Sequence, residues 1–148
     1  MKKAITITFL SALLILSSTF VNTFKAEAAF NPQQVIAEAK KLIGTRYKFG
    51  GTTPKGFDCS GFVYYTHKKV GKILPRSSAQ MYKKGKSVHK SKLLPGDLVF
   101  FSTYKKGASH VAIYIGKNQI IHATSNGVKI DSLNNPYWKS KFIGAKRI

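Results

Sequence analysis

The chain holds a single cysteine, Cys59, within the stretch Gly56-Phe57-Asp58-Cys59-Ser60-Gly61-Phe62-Val63. A lone thiol has no partner for an internal disulfide, so it is either a buried, inert residue or a reactive one. With Asp58 as the N-cap of a helix, Cys59 falls in the first turn, where free N–H groups and the positive end of the dipole favour a thiolate. Asp58 opposes this, because a neighbouring carboxylate raises a thiol pKa. Its oxygens are therefore expected to turn toward the helix N–H groups or a ligand, away from the sulfur. Gly56 and Gly61 read either as openings for a substrate or as packing glycines.

A nucleophilic cysteine needs a base. Of the four histidines, His67 lies among Thr66, Lys68 and Lys69 and His89 in a lysine-rich loop, and both read as solvated. His110 and His122 interrupt runs that are otherwise apolar and strand-like. If Gly116-Lys117-Asn118 is a three-residue hairpin loop, Ile115 faces Gln119, Ala112 faces His122, and His110 lies diagonally across from His122 on the same face, about 7–8 Å away. A two-residue loop would put the rings on opposite faces. A relay of Cys59 as nucleophile, His110 as base and His122 as the group that orients it thus requires the longer loop or a bulge. Without that relay, both histidines read as buried structural residues.

The elements that must position these residues follow from the hydrophobic period. Phe30-Asn31-Pro32-Gln33-Gln34-Val35 supplies a cap, a proline at the first helical position and an apolar staple. Val35, Ile36, Ala39, Leu42 and Ile43 then line one helical face, with Gly44 as the stop. A second helix is expected from Cys59 to about Val70, and a short third from Ser78 to Lys84. Leu94-Pro95-Gly96-Asp97 reads as a turn, with Asp97 a turn-forming structural residue. Strands are expected over residues 98–101, 110–115, 119–124, 128–131 and 143–148. Helices followed by a mostly antiparallel meander define one α+β domain over residues 29–148.

Residues 1–28 read as a secretory signal: Met1-Lys2-Lys3, an apolar run to Val21, and a small-residue site at Ala26-Glu27-Ala28. No stable membrane anchor is expected, because the run is short and carries Thr and Ser. Removing Lys2, Lys3 and Lys25 from 25 basic residues, and Glu27 from five acidic ones, leaves 22 against 4, a charge of +18 on the exported part. Such an excess calls for a polyanionic partner or environment. Export and the scatter of the lysines argue against nucleic acid, and anionic wall polymers fit better.

Six stretches occur in order: Tyr47-Lys48-Phe49-Gly50-Gly51, Phe57 to Val63, Leu74-Pro75-Arg76-Ser77-Ser78-Ala79-Gln80, Leu94 to Phe101, His110 to Gly116, and Ile121-His122-Ala123. Together they resemble the NlpC-type cell-wall cysteine peptidases, a papain-like family. The resemblance implies a papain-like α+β fold with Cys59, His110 and His122 as the catalytic set and no metal or cofactor. It implies a monomer that cleaves the bond between γ-linked D-glutamate and the following diamino acid of peptidoglycan stem peptides. It also implies that the Tyr47 hydroxyl stands near the oxyanion, that Asp58 and Ser60 bind the amino side of the substrate, and that Arg76 and Gln80 lie near the groove. Phe49 stands where an aromatic with a polar group is common. Amidase cleavage or acyl transfer by the same set, and a non-catalytic wall-binding protein, are the other readings.

Overall fold

A computed structural model describes residues 30–148; the expected signal segment lies outside the described residues. Helix α1 (Pro32–Lys40) starts as its sequence dictates, with the Asn31 side chain accepting from the Gln33 N–H at 2.9 Å. It buries Val35, Ile36 and Ala39 but ends before Leu42, and Ile43 is half-exposed. A two-stranded hairpin, β1 (Thr52–Thr53) and β2 (Gly56–Phe57), leads into α2 (Cys59–Lys69). Helix α3 (Ser78–Met81) is one turn, shorter than expected, and runs into strand β3 (Lys86–Val88) and a 3-10 turn over Lys90–Lys92. Strands β4 (Leu98–Phe101), β5 (His110–Gly116), β6 (Gln119–Thr124) and β7 (Gly127–Ser132) form the meander. Helix α4 (Pro136–Lys141) and strand β8 (Phe142–Arg147) complete the chain.

The main sheet has the order β3-β8-β4-β5-β6-β7 and is antiparallel throughout. Strand alternation divides it into two faces. Leu98, Phe100, Val111, Ile113 and Ile121 pack with the buried residues of α1 and α2. Val99, Phe101, Ala112, Tyr114 and Ile120 form a second cluster on the other face, against Trp138 of α4 and Phe142. Asp97 is structural, as expected: its carboxylate accepts the Leu94 N–H at 2.7 Å and grips the Arg147 guanidinium with both oxygens at 2.8 Å, tying β8 to the turn before β4.

The β5–β6 hairpin departs from the expected loop. Gly116, not Ile115, pairs with Gln119, so the loop is the two residues Lys117 and Asn118, at φ 51° and 56°. Both lie in the left-handed region that a tight two-residue hairpin turn requires. Between Tyr114 and Gly116 the register shifts, because Ile115 is left without a partner in a bulge. Beyond it Ile113 pairs with Ile121, and by that register Ala112 faces His122. The bulge restores the alignment that the shorter loop would have lost.

His67 corrects a second expectation: it is fully buried rather than solvated. Helical period places it four residues after Val63 and eight after Cys59, on the buried face of α2. Its Nδ1 donates to the Val63 carbonyl at 2.8 Å, its ring stacks on Phe30 at 5.9 Å, and its Nε2 has no partner among the described residues. Burial pushes its pKa down to about 4. The unfolded chain therefore takes up a proton near pH 6.5 that the folded chain refuses until about pH 4, so stability present above pH 6.5 is lost as the pH falls through that window, by roughly 3 kcal/mol. Urea midpoints measured from pH 7 to pH 4 should fall accordingly, and more shallowly in His67→Phe. Parallel curves for the two proteins would show that His67 is not a source of the acid sensitivity.

Candidate active site

Cys59 is the first residue of α2 and is buried. The carboxylate of Asp58 is turned away from it, as expected, and is saturated with donors. Its Oδ1 accepts the Gly61 N–H at 2.6 Å and the Ser60 hydroxyl at 3.4 Å; its Oδ2 accepts the Gly50 N–H at 3.1 Å and Arg76 Nη2 at 2.7 Å. Arg76 Nη1 donates to Ser60 Oγ at 2.8 Å. Gly61 is a packing glycine: a Cβ there would meet the Gly51 carbonyl, not open space beside the sulfur. Gln80 stays away from the groove, tied to the cap of α3: Ser77 Oγ accepts its N–H at 3.2 Å and donates to its Oε1 at 3.1 Å.

Tyr47 reaches the site because residues 46–48 run alongside Phe57, with Phe57 N–H donating to the Arg46 carbonyl and Lys48 N–H to the Phe57 carbonyl. Its hydroxyl pKa is raised, first by burial and then by the neighbouring Cys59 and Asp58. His110 and His122 are brought together by the bulged register: His110 Nε2 and His122 Nδ1 are 2.8 Å apart. Asp131, which the sequence reading passed over as a strand residue, closes the chain. Its Oδ2 lies 2.7 Å from His122 Nε2, and its Oδ1 pairs with Lys129 at 3.2 Å. Trp138 of α4, also not anticipated, stacks on His110 at 5.1 Å and meets the edge of His122 at 4.7 Å.

These contacts assign the protons. A carboxylate can only accept, so His122 Nε2 carries hydrogen; His122 Nδ1 then accepts from His110 Nε2–H, and the lone pair of His110 is left on Nδ1. Asp131 keeps its charge because His122 and Lys129 outweigh the burial that alone would raise its pKa. Burial lowers His122, with Asp131 acting against it. Burial and then His122 push His110 down to about 3, against Asp131. Burial likewise raises the Cys59 thiol, ahead of the Val111 and Ser60 amides that lower it. The activation expected from the helix start is thus opposed by desolvation, the leading cause of the raised thiol pKa.

Two cavities share Tyr47, Cys59 and Tyr104 as their common wall. One, of about 680 Å³, is lined by His110, Asp131, Lys129, Asn126, Tyr137 and Trp138. The other, of about 710 Å³, is lined by Asp58, Ser60, Arg76, Ser77, Lys105 and Phe49, the last almost fully exposed. A thiol set between two clefts, with an imidazole bearing a free lone pair on one side, can perform nucleophilic acyl transfer. Among the described residues no group of three or more His, Cys, Asp or Glu is arranged to hold a metal ion, and no helix is long and apolar enough to cross a membrane.

The model of the NlpC/P60 family matches residues 44–147. The chain belongs to the NlpC/P60 family. It is 50% identical over 119 residues to a protein named probable peptidoglycan endopeptidase LytE, from Bacillus subtilis (strain 168), covering 80% of this chain and 35% of that one. It is 51% identical over 107 residues to the murein DD-endopeptidase MepS/murein LD-carboxypeptidase of Escherichia coli (strain K12), covering 71% of this chain and 56% of that one. This NlpC/P60 chain therefore spans about a third to a half of the length of these curated relatives. The crystal structure of the NlpC/p60 domain of peptidoglycan hydrolase SagA superposes with a TM-score of 0.71 at 35% identity, covering 80% of this chain and 100% of that one. The fold shared with such NlpC/P60 structures is the papain-like α+β arrangement expected.

The hydrogen-bond chain makes Asp131 a positioning residue for His110. Asp131→Asn should lower kcat by about 10–100-fold with little change in KM, with loss of the strongly hydrogen-bonded His122 ring proton in the NMR spectrum; an unchanged kcat would remove Asp131 from the chain. Because His110 stays neutral down to about pH 3, the acid limb of kcat/KM should lie well below the ordinary imidazole value near 6.5. A limb centred near 6.5 would contradict the buried, neutral base.

Proposed function

We infer that the protein is an exported, cell-wall-associated cysteine endopeptidase of peptidoglycan stem peptides that cleaves after γ-linked D-glutamate. The observation that carries this reading is the thiol of Cys59 between two clefts, with the His110–His122–Asp131 chain opening into only one of them. The leaving amine must receive a proton from His110, so the diamino acid occupies the cleft that His110 lines, and the acyl portion occupies the cleft of Asp58, Ser60 and Arg76.

A γ-linkage leaves the α-carboxylate of the D-glutamate free, at the far end of the side chain that carries the scissile carbonyl. The acyl-side cleft offers that anion Arg76 and Lys105. Arg76 has five N–H donors and uses two on Asp58 and Ser60. An acyl D-alanine, as in a DD-bond, carries no free carboxylate for these cations to meet. Asp58 acts through this arrangement: its own lone pairs are taken, so it serves the substrate by fixing Arg76 and Ser60.

In the reaction the Cys59 thiol passes its proton to His110 Nδ1 as the sulfur attacks the carbonyl carbon. The oxyanion is held by the Cys59 backbone N–H and the Tyr47 hydroxyl. Collapse expels the amine, which takes the proton from His110, and leaves a thioester. Water, deprotonated by His110, then releases the free γ-carboxylate and restores the thiol. Both clefts are lined by one chain, so a monomer suffices. The uncompensated basic charge holds the enzyme at anionic wall polymers, and the N-terminal 28 residues direct export.

Mass spectrometry of digests of defined muropeptides tests the bond: new termini at γ-D-glutamate and at the diamino acid are expected. Release of the peptide from the sugar would identify an amidase, transfer to an added amine an acyltransferase, and cleavage only after D-alanine a DD-endopeptidase. Cys59→Ala should abolish turnover with the fold intact by circular dichroism. His110→Ala should lose nearly all activity and His122→Ala a part of it, and full retention in either histidine variant would refute the assignment.

A further inference from the structure

Every acidic residue among the described ones is matched by a base: Glu38 by Lys41, Asp58 by Arg76, Asp97 by Arg147, and Asp131 by Lys129 and His122. The remaining positive charge is not spread evenly. Lys83 and Lys84 follow α3, Lys86 lies on β3, Lys90 and Lys92 on the turn after it, and Lys146 on β8, which pairs with β3. None of these six forms an ion pair among the described residues, and Lys83, Lys84, Lys86 and Lys92 are exposed. The nearest acid, Asp97, is buried and held by both arms of Arg147.

Building on the wall-polymer reading above, we propose that this β3–β8 edge is the docking surface for a linear phosphodiester polymer without bases. Lysines are mobile point charges suited to a flexible chain of phosphates, whereas planar, bidentate recognition calls for arginine, and the one arginine here is occupied. Nucleic-acid strands are held by aromatic platforms as well as by charge. This edge offers none: Tyr82 and Phe142 are covered by the Lys146 and Lys90 ammonium groups at 5.2 and 4.9 Å. The exposed rings of Tyr47, Phe49, Tyr104 and Tyr137 all line the two clefts at Cys59 instead. In the sheet order β3 stands four strands from β6 and His122, about 19 Å at the usual strand spacing. A polymer on this edge leaves the clefts open, so the enzyme is held while it cuts.

The experiment compares two full-length variants with equal loss of charge: Lys83, Lys84, Lys86 and Lys92 all to Gln, and Lys40, Lys55, Lys68 and Lys69 all to Gln. Binding to soluble poly(glycerol phosphate), to single-stranded DNA of equal phosphate count and to phosphatidylglycerol vesicles is measured across a salt series. The edge variant should bind the polymer at least about 10-fold more weakly at low salt, and its log K against log[salt] slope should shrink by up to about 3, at roughly 0.7 per phosphate released. The control variant should keep most of both, and turnover of a small soluble muropeptide should stay within about twofold of wild type in each. Equal losses in the two variants would overturn the surface while leaving the wall-polymer reading intact. No polymer binding by the wild type would overturn both. DNA bound at least tenfold more tightly than polymer, or an edge effect confined to vesicles, would identify a different occupant and refute the proposal.

Discussion

The site depends on one carboxylate. Asp58 gathers the Gly50 N–H from the loop before β1, the Gly61 N–H and Ser60 hydroxyl from the first turn of α2, and Arg76 from the segment before α3. Three pieces of backbone, remote in sequence, are held at one point, and that point is adjacent to the thiol. A charge drawn largely out of water is tolerable only when its lone pairs are filled, and here three of the groups that fill them, Gly50, Ser60 and Arg76, also line the cleft beside Asp58. The electrostatic cost to Cys59 of an anion next door is the consequence, and the tight closure of Gly61 on Gly51 gives the helix start no freedom to move away.

On the opposite side of the thiol the problem is inverted. Two imidazole rings and a carboxylate must be held beside an indole without leaving a buried polar atom unpaired. The linear chain Asp131–His122–His110 solves it because each nitrogen but the last has a partner, and the last is the one that faces the cavity. Burial that would be a liability in a solvated dyad makes the order of the protons unambiguous.

The sequence carried the helix start at Cys59, the strands bearing both histidines and the α+β order, because each rests on a long period or on a cap with a known mechanism. It hid what rests on pairing. Asp131 ends an apolar strand and looks like a boundary residue until β6 is laid beside β7, with His122 opposite Lys129; strand alternation then puts residue 131 on the same face. Trp138 lies behind Asn135-Pro136, the same cap-and-proline grammar that located α1 at Asn31-Pro32, but six residues of helix leave almost no period to read. β1 and β2 are two residues each and β3 is three, too short for any of them to show alternation. The charged neighbours of His67 suggest solvent, although Cys59 and Val63 on the same helical face point to burial. The hairpin was legible as a pair of alternatives, and only the unpaired Ile115 decides between them.

That unpaired residue makes the β5–β6 hairpin a counting device. The two rings meet only if the number of residues between them has the right parity after the bulge is discounted. A change of one residue that left the bulge in place would rotate His110 or His122 to the α2 side of the sheet and strand a polar ring among Val111, Ile113 and Ile121, whereas loss of Ile115 itself would leave a regular two-residue hairpin with the rings still aligned. A change of two residues preserves the parity and only lengthens or shortens the arm. Length variants of this loop should therefore survive in steps of two, or in single steps only where the bulge is gained or lost with them.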